Sequence, residues 1–161
     1  MMQETILELL DKTPALLRDM LQAIPAEKLK QRRIPGKWSI HEHACHIAYV
    51  QPMLAGRIRT FIAEEKPVFT SYIPGDTTPP DELLNLDLEE TLAGFPRARR
   101  EFTELCRSQG AGFWERVAEH EEYELYTPYI LIRHILMHDH THMYRMEELW
   151  LTLDEHLPGG R

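Results

Sequence analysis

Cysteine is scarce: Cys45 and Cys106 are the only two in 161 residues, too few for a disulfide scaffold. Each falls within a helical pattern, where a small buried thiol is the ordinary role. Basic residues are outnumbered, with 18 lysines and arginines against 26 acids and a formal charge of -8. Such a surface repels a phosphate backbone instead of releasing its counterions, so nucleic acid is not an expected partner. The opening MMQETILELLDKTP has an acid early, no basic start and no long apolar run; neither a secretory leader nor a membrane span is expected, and a reducing cytoplasm is. Period-two alternation and internal repeats are missing, which leaves a helical chain. No G-x-S-x-G elbow and no E-x-x-H pair occurs, which removes the elbow-type serine hydrolases and the di-iron carboxylate bundles.

What is present is helical periodicity. A chain of this length can bury roughly two-thirds of its unfolded surface, enough for one ordinary domain spanning 1–161. Ile6, Leu9, Leu10, Leu16, Leu17, Met20, Leu21 and Ile24 keep a three-to-four spacing, and Thr13-Pro14 in their midst predicts a break and restart. A second helix begins at Ser39, whose hydroxyl and the Glu42 carboxylate form a capping box, and runs toward Lys66-Pro67 with a bend at Pro52. Residues 67–86 carry four prolines and a Gly-Asp turn, and predict a long connection with no element of its own. Asp87 caps a third helix, in which Pro96 predicts a kink or a displaced start. After an irregular stretch containing Trp114 and Tyr123, which can line a pocket entrance but more commonly pack under a loop, Thr127-Pro128 opens a fourth helix that ends near Trp150. Four amphipathic helices with long connections predict an all-α four-helix bundle.

The stretch HILMHDHTH places His134, His138 and His142 at steps of four, each step rotating only ~40° on a helix. With Leu131, Arg145 and Leu149 they share one face, expected to point inward, while Asp139 points away toward a helix–helix or supporting contact. Buried imidazoles need partners for both nitrogens, and a divalent ion satisfies one nitrogen from each ring at once. His138-x3-His142 has the spacing that brings two ring nitrogens to one ion, so a third ligand is expected from another helix. HEHACH, residues 41–46, supplies it, with His43 and His46 both within the apolar arc. His41-Glu42-x-x-Cys45 fails the zinc-protease pattern because cysteine replaces its second histidine. His120 and His140 carry no signal beyond ordinary polar positions.

These segments resemble a known family. GKWSIHEHACHIA, with a histidine seven residues after the serine, and HDHTH followed by Met143 and Met146 are similar to the motifs of the DinB-like metal-binding bundles. The likeness extends to the Thr-Pro of helix one and the Glu-Lys-Pro that ends helix two. It implies an up-down-down-up bundle, a homodimer, and a metal, zinc or nickel, held by His46, His138 and His142 with one position open. It further implies a thiol-dependent S-transferase using a low-molecular-weight thiol on a small-molecule substrate. The alternatives are a metal-dependent hydrolase or a non-catalytic bundle that stores or senses metal. Arg145, where the family commonly has glutamine, and Tyr49, near which it commonly has an acid, are pocket candidates with His134 and His43. Tyr49, Glu42 and His134 are the candidates for a general base.

Overall fold

The computed structural model describes residues 2–71 and 79–158. Its elements are α1 (Met2–Ala23), α2 (Ala26–Leu29), α3 (Ile40–Tyr49), α4 (Gln51–Ala63), β1 (Val68–Phe69), α5 (Glu82–Asn85), α6 (Leu88–Ala93), α7 (Phe95–Arg107), β2 (Glu119–His120) and α8 (Pro128–Leu151). Two single 3₁₀ turns, Ala111–Phe113 and Asp154–His156, complete them. None of the described helices is long and apolar enough to cross a membrane.

The direction of each long helix follows from two core clusters. One gathers Leu7 and Leu10 from the start of α1, Ile58 and Phe61 from α4, Phe102 and Cys106 from α7, and Leu131 and Ile135 from the start of α8. The other gathers Leu17 and Leu21 from the end of α1, Ile40, Ala44 and Ile47 from α3, Leu92 from α6, and Met143, Met146 and Leu149 from the end of α8. The helix formed by α3 and α4 and that formed by α6 and α7 therefore run against α1, and α8 runs with it. The bundle is up-down-down-up, with the two antiparallel partners of α1 joined by the long connection.

Local chemistry sets most boundaries. Ser39 accepts from the Glu42 amide at 3.3 Å while the Glu42 carboxylate accepts from the Ser39 amide at 2.8 Å, so α3 starts on a closed capping box. Asp87 and Thr127 cap α6 and α8 by accepting from the amides of Glu90 and Ile130. The bend expected at Pro52 falls at Val50, between α3 and α4, where Gln51 donates to the Ile47 carbonyl at 2.7 Å. The interruption expected around Pro96 falls at Gly94, which leaves Pro96 in the first turn of α7, where its missing N–H costs nothing.

Two expectations fail. Pro14 does not break α1, which runs unbroken through it. Leu10 and Leu17, on either side, are both fully buried, and their continuous packing outweighs the roughly 3 kcal/mol that an interior proline costs. Thr13 also turns its hydroxyl onto the Leu9 carbonyl at 3.2 Å. Nor is the 67–86 connection without elements: β1 pairs in parallel with β2, Val68 opposite Glu119, and α5 follows. A two-residue ladder carries no periodicity to read. Residues 72–78 of that connection lie outside the described residues.

The cap at α3 gives a direct test. Ser39→Ala is expected to lower stability by about 1 kcal/mol, the usual cost of a lost N-cap. Urea denaturation measures it, and an unchanged midpoint contradicts the assignment.

Candidate metal centre

Antiparallel packing of α3 on α8 sets the last turn of α3 against the middle of α8. His46 on the first helix and His138 and His142 on the second are thereby brought together, with one ring nitrogen of each lying within 4.8 Å of the other two. His138 Nε2 is 3.0 Å from His46 Nε2 and 3.1 Å from His142 Nε2. His46 is buried, and the other two are half-buried.

What surrounds the three rings bears on where their protons sit. His138 Nδ1 donates to Asp139 Oδ1 at 3.2 Å, which leaves its Nε2 with a lone pair and no hydrogen. That single lone pair meets two neighbouring nitrogens and can accept a hydrogen bond well from only one. His142 Nδ1 lies 2.8 Å from His43 Nδ1; with the proton on His142, its Nε2 also presents a lone pair to His138. Lone pairs facing each other at such distances repel unless a cation lies between them. The donor set is convergent and nitrogen-only, and it fits a divalent metal ion.

Burial favours the neutral rings. It pushes His43 down to about 4 and His46 down to about 3, the latter helped by His138 and His43, and it lowers His142 in the same direction with help from its three neighbours. In the unfolded chain these imidazoles titrate near ~6.5. The unfolded form then binds more protons as pH falls, so this contribution to stability is fully present above that value and is lost on acidification. Metal-free protein should show a urea midpoint that drops between about pH 6.5 and about pH 4. A midpoint flat over that interval would contradict the buried, neutral placement.

Behind His138 stands a buried network. Asp139 Oδ2 pairs with Arg99 Nη2 at 2.8 Å, the two side chains being 0% and 1% exposed, and Arg99 Nε donates to Gln51 Oε1 at 3.1 Å. Asp139 thus makes the helix–helix contact expected of it, to Arg99 on α7, and the supporting contact as well, to His138. The buried arc of α8 runs through Ile132, Ile135, Asp139, Met143 and Met146, and the histidines lie along its edge. A carboxylate that orients a histidine from behind is the usual support of a metal ligand. In front, the Trp38 indole covers the cluster, its centroid 4.9 Å from His46 and 5.9 Å from His142.

The remaining sequence candidates take distinct places. His43 contacts His142 and also lines an outer cleft with Trp38 and Arg145, while Arg145 is paired with Glu148 at 2.7 Å. Tyr49 donates to Glu82 at 3.1 Å. Burial opposes the Glu42 charge, but hydrogen bonds from Arg32 and Ser39 outweigh it and hold the carboxyl below its ordinary value; the group is committed to the cap. His134 stays outside the cluster and lines a second cleft of about 420 Å³, together with His138, Tyr123 and Tyr126. Trp114 takes the packing role, against Phe113, and His140 is exposed.

Arg99, Gln51 and Trp38 were not singled out from the sequence as site residues. Arg99 had a signal: it interrupts the apolar series Leu92, Phe95, Phe102 and Cys106 at the helical spacing, and an arginine inside such a stripe needs a buried acid. Asp139 is the same signal on α8.

Comparison with known proteins bears on this geometry. The sequence profile of the DinB superfamily matches residues 9–146. No curated protein matches the chain. Among solved structures, YfiT from Bacillus subtilis, described as a probable metal-dependent hydrolase with an unusual four-helix bundle topology, aligns with a TM-score of 0.80. The alignment has 20% identity and covers 91% of this chain and 85% of that one. At that identity the likeness is one of fold.

Proposed function

The chain belongs to the DinB superfamily, matched over residues 9–146, and from that premise we propose that it is a metal-dependent enzyme. In this reading His46, His138 and His142 hold a divalent ion, zinc or nickel, and the adjoining cleft admits a small organic substrate. The observation that carries it is the convergence of one nitrogen from each of three histidine rings. When bound, such an ion supplies Lewis acidity and makes a nucleophile acidic enough to react near neutral pH.

The chain's own residues set the stage for that chemistry. Asp139 and His43 orient two of the three imidazoles through their outer nitrogens. Trp38 shields one side of the cluster from water. No cysteine serves as nucleophile: Cys45 and Cys106 are fully buried, and burial pushes their thiols up to about 11 and about 12. In this reading the attacking group comes from outside the chain.

If that group is water the protein is a hydrolase, the reading supported by the description of its structural neighbour. The thiol transfer implied by the family resemblance uses the same three ligands with a different nucleophile. An assay separates the two. Zinc- or nickel-loaded protein is given activated esters and alkyl halides with and without glutathione or free cysteine. Turnover in buffer alone supports hydrolysis, and turnover only with thiol, accompanied by a thioether from the halide or a thioester from the ester, supports transfer. Turnover undiminished in His142→Ala, or none under either condition, counts against the enzymatic reading.

A further inference from the structure

The cleft beside His138 contains an arginine that the metal chemistry does not use. Arg57, on α4, donates from Nη1 to the Tyr126 hydroxyl at 2.9 Å and from Nη2 to the Thr70 carbonyl at 2.8 Å. Its guanidinium also lies 5.5 Å from the Phe69 ring centroid. Both acceptors are neutral, and Arg57 forms no ion pair among the described residues. Arg32, Arg33, Arg99 and Arg107, by contrast, are each neutralised by acids. A fixed, half-buried cation with no ion-pair partner among the described residues, facing a cleft of about 420 Å³, is a prepared anion site. Of the five guanidinium hydrogens two are engaged, and one on each terminal nitrogen remains for a two-pronged contact.

The rest of the cleft defines what carries the anion. Val50, Met53, Leu54 and Ile135 make its walls apolar. Tyr123 and Tyr126 stack at 5.6 Å with their planes 11° apart, and His134 lies 5.1 Å from Tyr123. His120 accepts the Glu122 amide on Nδ1 at 3.2 Å, so its remaining nitrogen is a donor. Burial lowers both His120 and His134 from their ordinary values, which leaves Arg57 as the permanent cation among the described lining residues. One cation, with Glu122 close by and a chain of net charge -8, suits a monoanion better than a phosphate dianion. From His138 to Leu131 the cleft follows α8 for seven residues, roughly 10 Å at ~1.5 Å per residue.

We propose that Arg57 is the specificity-determining residue of this cleft, which binds small organic monocarboxylates with an apolar or planar body, the carboxylate on Arg57 and the opposite end at His138. That the His138 end is the reacting end rests on the function proposed above; the binding itself does not.

The test is a paired-ligand calorimetric measurement on the full chain with phenylbutyrate and its uncharged amide, phenylbutyramide. Wild type binds the acid more tightly than the amide by at least about tenfold, and Arg57→Gln removes the difference. The preference persists in His142→Ala, which is expected to hold little metal; a carboxylate captured by the ion instead of by Arg57 would lose its preference there. Equal binding of acid and amide by wild type, a preference that survives Arg57→Gln, or one that disappears in His142→Ala overturns the proposal. Should Arg57→Gln fail to fold, the comparison in wild type and His142→Ala decides the matter. Metal content of the same samples is read separately, so protein that prefers the acid but binds no ion contradicts the proposed function and leaves the Arg57 assignment standing.

Discussion

His138→Ala is expected to abolish metal retention. His138 is the central member of the cluster, its Nε2 3.0 Å from His46 and 3.1 Å from His142, so its loss leaves two imidazoles on different helices and no third nitrogen between them. The affinity should fall by more than about 100-fold, the upper end of what losing a mere supporting partner costs. Catalysis, where it depends on the ion, should fall with it. Competition against a chromophoric chelator measures the change. His134→Ala is the matched control, since that ring lies one turn earlier on the same helix and outside the cluster; it should retain the ion. If both variants bind as wild type does, His138 is not a ligand.

Asp139→Asn is expected to do two kinds of damage at once. The carboxylate is fully buried and faces Arg99 at 2.8 Å, so neutralising it strands a buried guanidinium, a loss of about 3–5 kcal/mol. The same carboxylate accepts from His138 Nδ1 at 3.2 Å, and removing such a support typically weakens metal binding by about 10–100-fold. A second variant separates the effects. Replacing both partners, Asp139→Leu with Arg99→Met, removes the stranded charge and should recover much of the stability, because apolar replacements of buried ion pairs are often well tolerated. It should not recover metal affinity, because nothing then orients His138. Asp139→Asn that unfolds within about 1 kcal/mol of wild type would contradict the buried pairing.

How far the sequence discloses the molecule depends on how local each cause is. Caps act within one turn, so Ser39, Asp87 and Thr127 are visible in the chain and occur where they are read. The joints near Pro52 and Pro96 are visible as well, although Val50 and Gly94 take the actual turns. Pro14 misleads because its local penalty is overruled by packing across the whole length of α1. The pairing of β1 with β2 joins residues 51 positions apart in two-residue strands, and nothing in either strand alone announces it.

At the site, the face shared by His138 and His142 is a property of one helix and is legible. Periodicity leaves His43 and His46 open, and the structure uses both, His46 beside His138 and His43 behind His142. The family resemblance had singled out His46, the one of the two that joins the cluster. Asp139 is legible as a helix–helix or supporting contact off the histidine face, but its partner is not: the buried arc of α8 is centred on the apolar residues, and Asp139 lies among them because Arg99 waits on α7. Such a pairing is tertiary, and only the oddity of a charge inside each stripe hints at it.

The central claim is that three imidazoles jointly hold one divalent ion. Elemental analysis of protein purified without a metal-affinity column, followed by calorimetric titration of the stripped protein with zinc and with nickel, tests it most directly. The account predicts one ion per chain on purification or on titration, and none in His138→Ala. Folded wild-type protein that carries no ion and binds neither metal would contradict it.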